Sequence, residues 1–327
     1  MYGRASTYYV VGFKQEKGNT KMEKSIIQRL IDAGIITKND IDEYNKQNAT
    51  GLIKQQVEEH KVEKTKQRFS KIKNGVLIEF DKRDLVDGKY VVPSDVTEIE
   101  QKAFYACNEL KQIIIHEGIW QIKYATFALC DNLESVILPD SVEAIYMDAF
   151  VGCGIEYIDL PKNLKIICNN AFYGTKLKEI EFPDSIEQIG HSAFRNNKHL
   201  INISLPNNLE IIRKDAFSGC DSLKEVVIPE GVKDIREGAF SHCINLERVF
   251  LPQSLEAIDR TAFWGCSSLI NINANSLKKE IDLPSNMRFL SSSAFNNTPI
   301  EKMVRKLVTE NKIVQYPGQT FDEPKTK

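Results

Sequence analysis

The chain has 327 residues, 42% of them hydrophobic, and 43 Lys and Arg stand against 45 Asp and Glu. That length and composition support a sizeable core, and no stretch approaches the roughly 20 apolar residues that a membrane helix needs. Charge is uneven along the chain: residues 1–90 hold 18 Lys/Arg against 13 Asp/Glu and the remainder 25 against 32, which points to two units.

Residues 1–21 read as a loose tail. Their apolar run at 8–13 is too short for a secretory h-region and no small-residue cleavage site comes after it; Met22 is a natural alternative start. Residues 22–74 read as a helical N-terminal region. Ile26, Ile27, Leu30 and Ile31 share one face, Gly34 suits a C-terminal cap, and Thr37 with Asp40 forms an N-cap signal. Gly51 breaks that second helix, and a longer polar helix is expected over 52–73. Asn74-Gly75 is a turn signal, and 76–90 reads as a pair of strands around Asp87-Gly88. This stretch, 75–95, is expected to cap the apolar edge of the repeat array that begins at 96.

From 96 to 298 one skeleton recurs, seen in its fullest form as IIRKDAFSGCDSLKEVVIP around Phe217. The anchors are Phe104, Phe127, Phe150, Phe172, Phe194, Phe217, Phe240, Phe263 and Phe295, spaced by 22 or 23 residues except for a last interval of 32. Self-similarity at 20 to 29 residues marks a leucine-rich-repeat solenoid, here of about nine coils with the last enlarged near 275–280. Within each unit, segments such as LESVILP and LKEVVIP alternate inward residues as a short strand does, and proline ends the strand because it has no N–H for a ladder. A second apolar pair (Val142/Ile145, Ile186/Ile189, Leu209/Ile212, Val232/Ile235, Leu255/Ile258) is expected to turn inward on the return leg. Both 22-residue units lose their residue just after the phenylalanine, before Ile155 and Leu177, where a surface turn tolerates a deletion. After Phe295, Pro299 opens an amphipathic helix (Ile300, Met303, Val304, Leu307), and 299–327 reads as a capping helix and tail at the far end.

The unit A-F-x-x-C-x-x-L-x-x-I-x-L-P resembles the BspA-like, or Treponema-type, leucine-rich repeats, over about 200 residues. Phenylalanine, cysteine and proline recur in phase, and proline stands after the strand where other leucine-rich repeats carry asparagine. The resemblance implies a mainly β, curved solenoid and a binding or adhesion role in place of catalysis.

Six of the seven cysteines (Cys107, Cys130, Cys153, Cys220, Cys243, Cys266) fall three residues after a phenylalanine, with Thr175, Asn197 and Thr298 at that place in other coils. That is the mark of a small buried site, where free cysteine acts as a small hydrophobe. With no C-x-x-C pair and no matching histidine spacing, no metal or cofactor is expected. The five histidines share no motif, and neighbours such as His242 and Cys243 point apart on an extended segment. No enzyme is implied. The basic run Lys61, Lys64, Lys66, Arg68, Lys71, Lys73 reads first as a solvated helix face and second as contact with nucleic acid or an acidic surface.

What remains is the strand face. Between inward residues two positions per coil point to the concave side, and Ile114, Ile137, Tyr157, Asp159, Glu179, Glu181, Val227, Arg248 and Phe250 form a row unusual for solvent. Such rows bind partners in repeat proteins, although β-branched and aromatic residues also favour strands in their own right. The expectation is a module for an unidentified protein partner, or a surface adhesin. The thiols and the missing signal point to the cytoplasm, and the family resemblance to the cell surface.

Overall fold

Each coil must bury one large ring and close its backbone around it. The computed structural model describes residues 68–273 and 280–310; the tail at 1–21, the helices expected up to residue 67, most of the enlargement near 275–280 and the end of the chain lie outside the described residues. Coils are numbered by their phenylalanine, from coil 1 (Phe104) to coil 9 (Phe295). A coil runs through a short strand, a proline turn, a two-residue second strand, and a turn carrying the phenylalanine.

The nine phenylalanines form one column, each at most 1% exposed. Successive ring centroids lie 5.0 to 5.5 Å apart with planes inclined by 4 to 21°. Stacks of this kind contribute about 0.5–1.5 kcal/mol each beyond area burial. The central inward residue of the strand segment in coils 1–8 and all ten members of the second apolar pairs are buried, apart from a half-buried Ile203 in coil 6. The inward residues Leu138, Leu160 and Phe182 before the prolines are partly buried. Alanine precedes every phenylalanine except Phe127, which follows Thr126, and from coil 3 onward that alanine is fully buried.

The phenylalanine turn has a backbone signature that the side-chain pattern does not announce. Residues two before the phenylalanine in coils 1–8, and two after it in all nine, have φ between +50° and +75°. This conformation turns the N–H groups at −2, 0 and +2 toward the next coil. In coil 2 Ala125, Phe127 and Leu129 donate to the carbonyls of Met147, Ala149 and Val151 at 3.1, 2.8 and 2.7 Å. The phenylalanine N–H makes this forward bond at every interface from coil 1 to coil 9.

The phenylalanine carbonyl has two lone pairs to satisfy in a buried place. In coils 1, 2, 3, 7 and 8 one accepts from the N–H three residues on, as Cys153 to Phe150 at 3.1 Å. The other accepts from the cysteine of the following coil. Cys130, Cys153, Cys220, Cys243 and Cys266 donate to Phe104, Phe127, Phe194, Phe217 and Phe240 at 2.7 to 3.3 Å. Where cysteine is absent another donor takes over: Asn197 donates to both Phe172 and Phe194 at 2.8 Å and accepts from Thr175, and Thr298 donates to Phe295. Burial pushes the thiols of Cys153, Cys220 and Cys266 well above the usual range, so they stay protonated and able to donate. All seven cysteines are free.

Two parallel β-ladders complete the coils, and neither is continuous. The first joins Lys89–Val91, Gln112–Ile114 and Ser135–Ile137, then Glu179–Glu181 with Asn202–Ser204, then Glu225–Val227, Arg248–Phe250, Asn271–Ile272 and Glu280–Ile281. The second joins Gln121–Ile122 through Gln188–Ile189 and, separately, Ile211–Ile212 through Phe289–Leu290. In coil 4, residues 157–159 form no ladder strand, contrary to the sequence pattern. The preceding turn lacks one residue, and a side chain on Gly154 would stand 2.1 Å from the Asp131 carbonyl. The shortened turn thus sits against coil 3, and the strand after it leaves the ladder.

The N-terminal end corrects the expected hairpin. The strands 76–79 and 89–91 do not pair with each other; they open the second and first ladders, and Asp87-Gly88 only closes a tight turn between them. The hairpin lies instead at Asn74-Gly75, between Lys71–Lys73 and Val76–Glu79. Residues 71–73 are therefore strand, not the end of a helix: their neighbour Asn74 adopts φ +53° and Gly75 +77°, the pair of left-handed residues a tight hairpin needs. Phe80 and Tyr90 cover Phe104, with centroids 4.6 and 5.6 Å from it. At the far end the helix Glu301–Glu310 buries Val304 and Val308, while Met303, expected inward, is 37% exposed. Glu301 accepts from the N–H of Asn297 at 2.9 Å, ending the forward-pointing series that has no further coil to meet.

Phe217→Ala is expected to lower the stability of the array by about 3–5 kcal/mol in urea unfolding. Freshly purified, denatured protein is expected to titrate seven free thiols per chain; a count well below seven means that the column is oxidised.

Candidate protein-binding surfaces

The strand row predicted from sequence is divided by the breaks in its ladder. Ile114 is fully buried and offers nothing to a partner; its register neighbour Ile137 is partly exposed. Tyr157 (44% exposed) and Asp159 stand on the non-ladder segment of coil 4, with the Lys178 ammonium 5.6 Å from the Tyr157 ring centre. Glu179 and Glu181 pair in register with polar Asn202 and Ser204. The best-assembled group is Val227 beside Phe250 and Glu225 beside Arg248, the last two joined by a 2.7 Å ion pair. Val227 is 58% exposed.

A second surface escapes a sequence reading that considers only strand positions. The turn side of coils 1–3 exposes Tyr105, Trp120, Tyr124, Leu129, Tyr146 and Met147, each between 38 and 54%. Tyr124 and Met147 hold the same place, three before phenylalanine, on adjacent coils. Lys102 links Tyr105 and Tyr124, its ammonium 5.9 and 5.3 Å from the two ring centres. Leu129 is exposed at φ +60°, where coils 3, 4, 6 and 8 place glycine. A bulky residue in that region is strained, so core formation does not explain it. From coil 6 onward positions −4 and −3 are polar or charged, with Lys214 and Arg260 both bound to Glu237 at 3.3 and 2.7 Å, while Trp264 of coil 8 repeats the aromatic place of Tyr105. The signal is present in the sequence as apolar residues at positions −7 (Trp120), −4 (Tyr146), −3 (Tyr124, Met147), +1 (Tyr105) and +2 (Leu129) relative to the phenylalanine, legible only once those positions are known to face outward.

Of the basic run, the described part is Arg68, Lys71 and Lys73; Arg68 pairs with Asp95 at 3.0 Å. Lys61, Lys64 and Lys66 lie outside the described residues. Among the described residues, no three His, Cys, Asp or Glu side chains converge as a metal ion requires, and no helix is long and apolar enough to cross a membrane. His242 packs edge-on against Trp264 at 4.4 Å while the adjacent Cys243 thiol bonds Phe217, so the two do point apart.

The family model for the BspA-type leucine-rich repeat region matches in six copies, over residues 88–200, 143–270 and 196–316. A leucine-rich repeat protein from Bacteroides ovatus is similar in structure, with 28% identity and a TM-score of 0.55 over 71% of this chain and 68% of that one. A leucine-rich repeat protein from Eubacterium ventriosum shares the fold at 20% identity and a TM-score of 0.51, over 72% and 61%. A Treponema pallidum leucine-rich repeat protein aligns at 26% identity and a TM-score of 0.41, over 59% and 82%. No curated protein matches.

If the exposed turn-side residues serve contact and not folding, Tyr124→Ala and Tyr146→Ala are expected to leave the thermal midpoint within about 2 °C of the parent, as surface changes of under about 0.5 kcal/mol do. A fall of about 5 °C or more in either variant assigns these rings to the core.

Proposed function

The chain belongs to the BspA-type leucine-rich repeat family, and on that premise we propose that it is a non-enzymatic module that binds another protein. The observation that carries the reading is the turn-side surface of coils 1–3. Six large apolar side chains stand exposed on neighbouring coils, one of them in a backbone conformation it strains to adopt. Large exposed apolar side chains gathered on neighbouring coils support an interaction site, and tyrosine and tryptophan are the side chains that most often dominate interface energetics.

A second contact surface is supported by the strand face of coils 7 and 8. There Val227 and Phe250 present an apolar pair flanked by the Glu225–Arg248 ion pair, a small apolar centre with a charged rim. Tyr157 stands apart from this group. The thiol donors must be reduced to hold the phenylalanine carbonyls, which favours a reducing compartment for the working protein.

The test begins with affinity capture on the intact chain and continues with the dissociation constant of the captured protein. Tyr124→Ala and Tyr146→Ala are expected to weaken binding by about 2 kcal/mol or more at unchanged thermal midpoint. Phe250→Ala and Tyr157→Ala report on the strand face in the same assay. Full affinity in both turn-side variants removes the turn-side reading, and loss confined to Phe250→Ala transfers the site to coils 7 and 8.

A further inference from the structure

The interfaces between coils are unequal. All eight carry the phenylalanine-turn bonds, but both β-ladders are formed only between coils 2 and 3, 7 and 8, and 8 and 9. Every interface from coil 3 to coil 7 lacks one ladder. Coils 3, 4 and 5 are joined by the second ladder alone, coils 5 and 6 by the first alone, and coils 6 and 7 by the second alone.

Coil 6 is where the loosening concentrates. Its strand Ile211–Ile212 does not pair with Gln188–Ile189, and a cleft of about 280 Å³ opens there, lined by Glu187, Gln188, Ile189, Leu209, Glu210 and Ile211 among others. On its other strand, Asn202–Ser204 does not pair with Glu225–Val227, and Ile203 is half-buried where its equivalents in coils 5 and 7 are at most 3% exposed. The ring spacing is 5.5 Å on both sides of Phe217 and 5.4 Å at the next interface, against 5.1 to 5.2 Å among coils 1–5. One local cause is legible. A side chain on Gly190 would meet Asn169 N and Cys168 C at 2.5 Å, so coil 5 is pressed onto coil 4; coil 6 carries Arg213 at the equivalent place.

We infer that coil 6 is a joint at which the solenoid bends, and along which it separates into two cooperative units. The units are coils 1–5 and coils 7–9, held across the joint by the phenylalanine turns and a single ladder at each of its two interfaces. In a linear array stability is a sum of unit and nearest-neighbour terms; neither ladder runs through coil 6, and with the cleft on one side and the loosened Ile203 on the other it is where cooperativity breaks first. Bending there swings Val227 and Phe250 relative to the aromatic surface of coils 1–3, which adjusts the angle between the two proposed contact surfaces.

Two measurements on the full chain decide it. In hydrogen exchange, the amides of 206–213 are expected to exchange at least about tenfold faster than the equivalent amides of 139–146 and 229–236. In urea, the two tryptophans report on opposite sides of the joint: Trp264→Phe leaves Trp120 in coil 2, and Trp120→Phe leaves Trp264 in coil 8. The two single-tryptophan proteins are expected to unfold with separate midpoints. Equal exchange in the three segments overturns the joint, and coincident midpoints overturn the division into two units.

Discussion

The buried phenylalanine carbonyl is the constraint on which the rest of the structure depends. Closing a coil of 22 or 23 residues around one phenylalanine forces its backbone into the interior, where a C=O without partners is costly, about 1–3 kcal/mol for an unsatisfied group. The solution recurs down the array: the carbonyls of Phe104, Phe127, Phe194, Phe217 and Phe240 accept from the cysteine of the next coil and Phe172 from Asn197, and those of coils 1, 2, 3, 7 and 8 also accept from the N–H three residues on. The side chain supplying that donor must be small, buried and able to donate, which cysteine, threonine and asparagine are and alanine or valine is not. The forward-pointing N–H groups at −2, 0 and +2 complete the turn and make it the one hydrogen-bonded spine that crosses every interface. The β-ladders, by contrast, are interrupted. Strands are the more visible part of the sequence pattern, but in this chain the turn is what continues.

Much of the fold is legible in the sequence because its rules are local and periodic. Phenylalanine spacing, alternation before proline and the second apolar pair all reduce to which residues point inward, and burial tracks them nearly position by position. The failures have physical causes. Asp87-Gly88 suits a tight turn and so predicts a hairpin there, yet each flanking strand finds a parallel partner in the next coil. The left-handed residues at −2 and +2 are invisible in the pattern since lysine, serine, leucine and aspartate occupy many of them, with glycine at only some. The cysteine position reads correctly as small and buried but not as a donor. The clue lies in its replacements, Thr175, Asn197 and Thr298, every one of which carries a hydrogen-bond donor.

The candidate contact surfaces are less legible, for a reason of geometry. A strand residue's direction comes from alternation, so Val227 and Phe250 can be assigned to one face in advance. A turn residue's direction depends on φ, so Tyr124, Tyr146 and Leu129 cannot. The row itself is also weaker than alternation implies. Ile114 is buried, and the deletion before Ile155 takes Tyr157 and Asp159 out of the ladder. The early coils place aromatic and apolar side chains at their outward turn positions while the later coils use charge pairs such as Lys214–Glu237–Arg260. A core requirement would be the same in every coil, so the concentration of exposed apolar side chains on coils 1–3 supports the proposed contact role.

The central claim is that the position three after phenylalanine is held by hydrogen bonding and not by volume. Cys243, which donates to the Phe217 carbonyl at 3.2 Å and is fully buried, is the place to test it. Threonine and valine have nearly the same shape and differ in the hydroxyl. If only apolar packing mattered, Cys243→Val should be the more stable of the two. The account predicts the reverse order in urea unfolding, with Cys243→Val less stable than Cys243→Thr by about 1–3 kcal/mol. Equal stability, or a more stable valine variant, contradicts it.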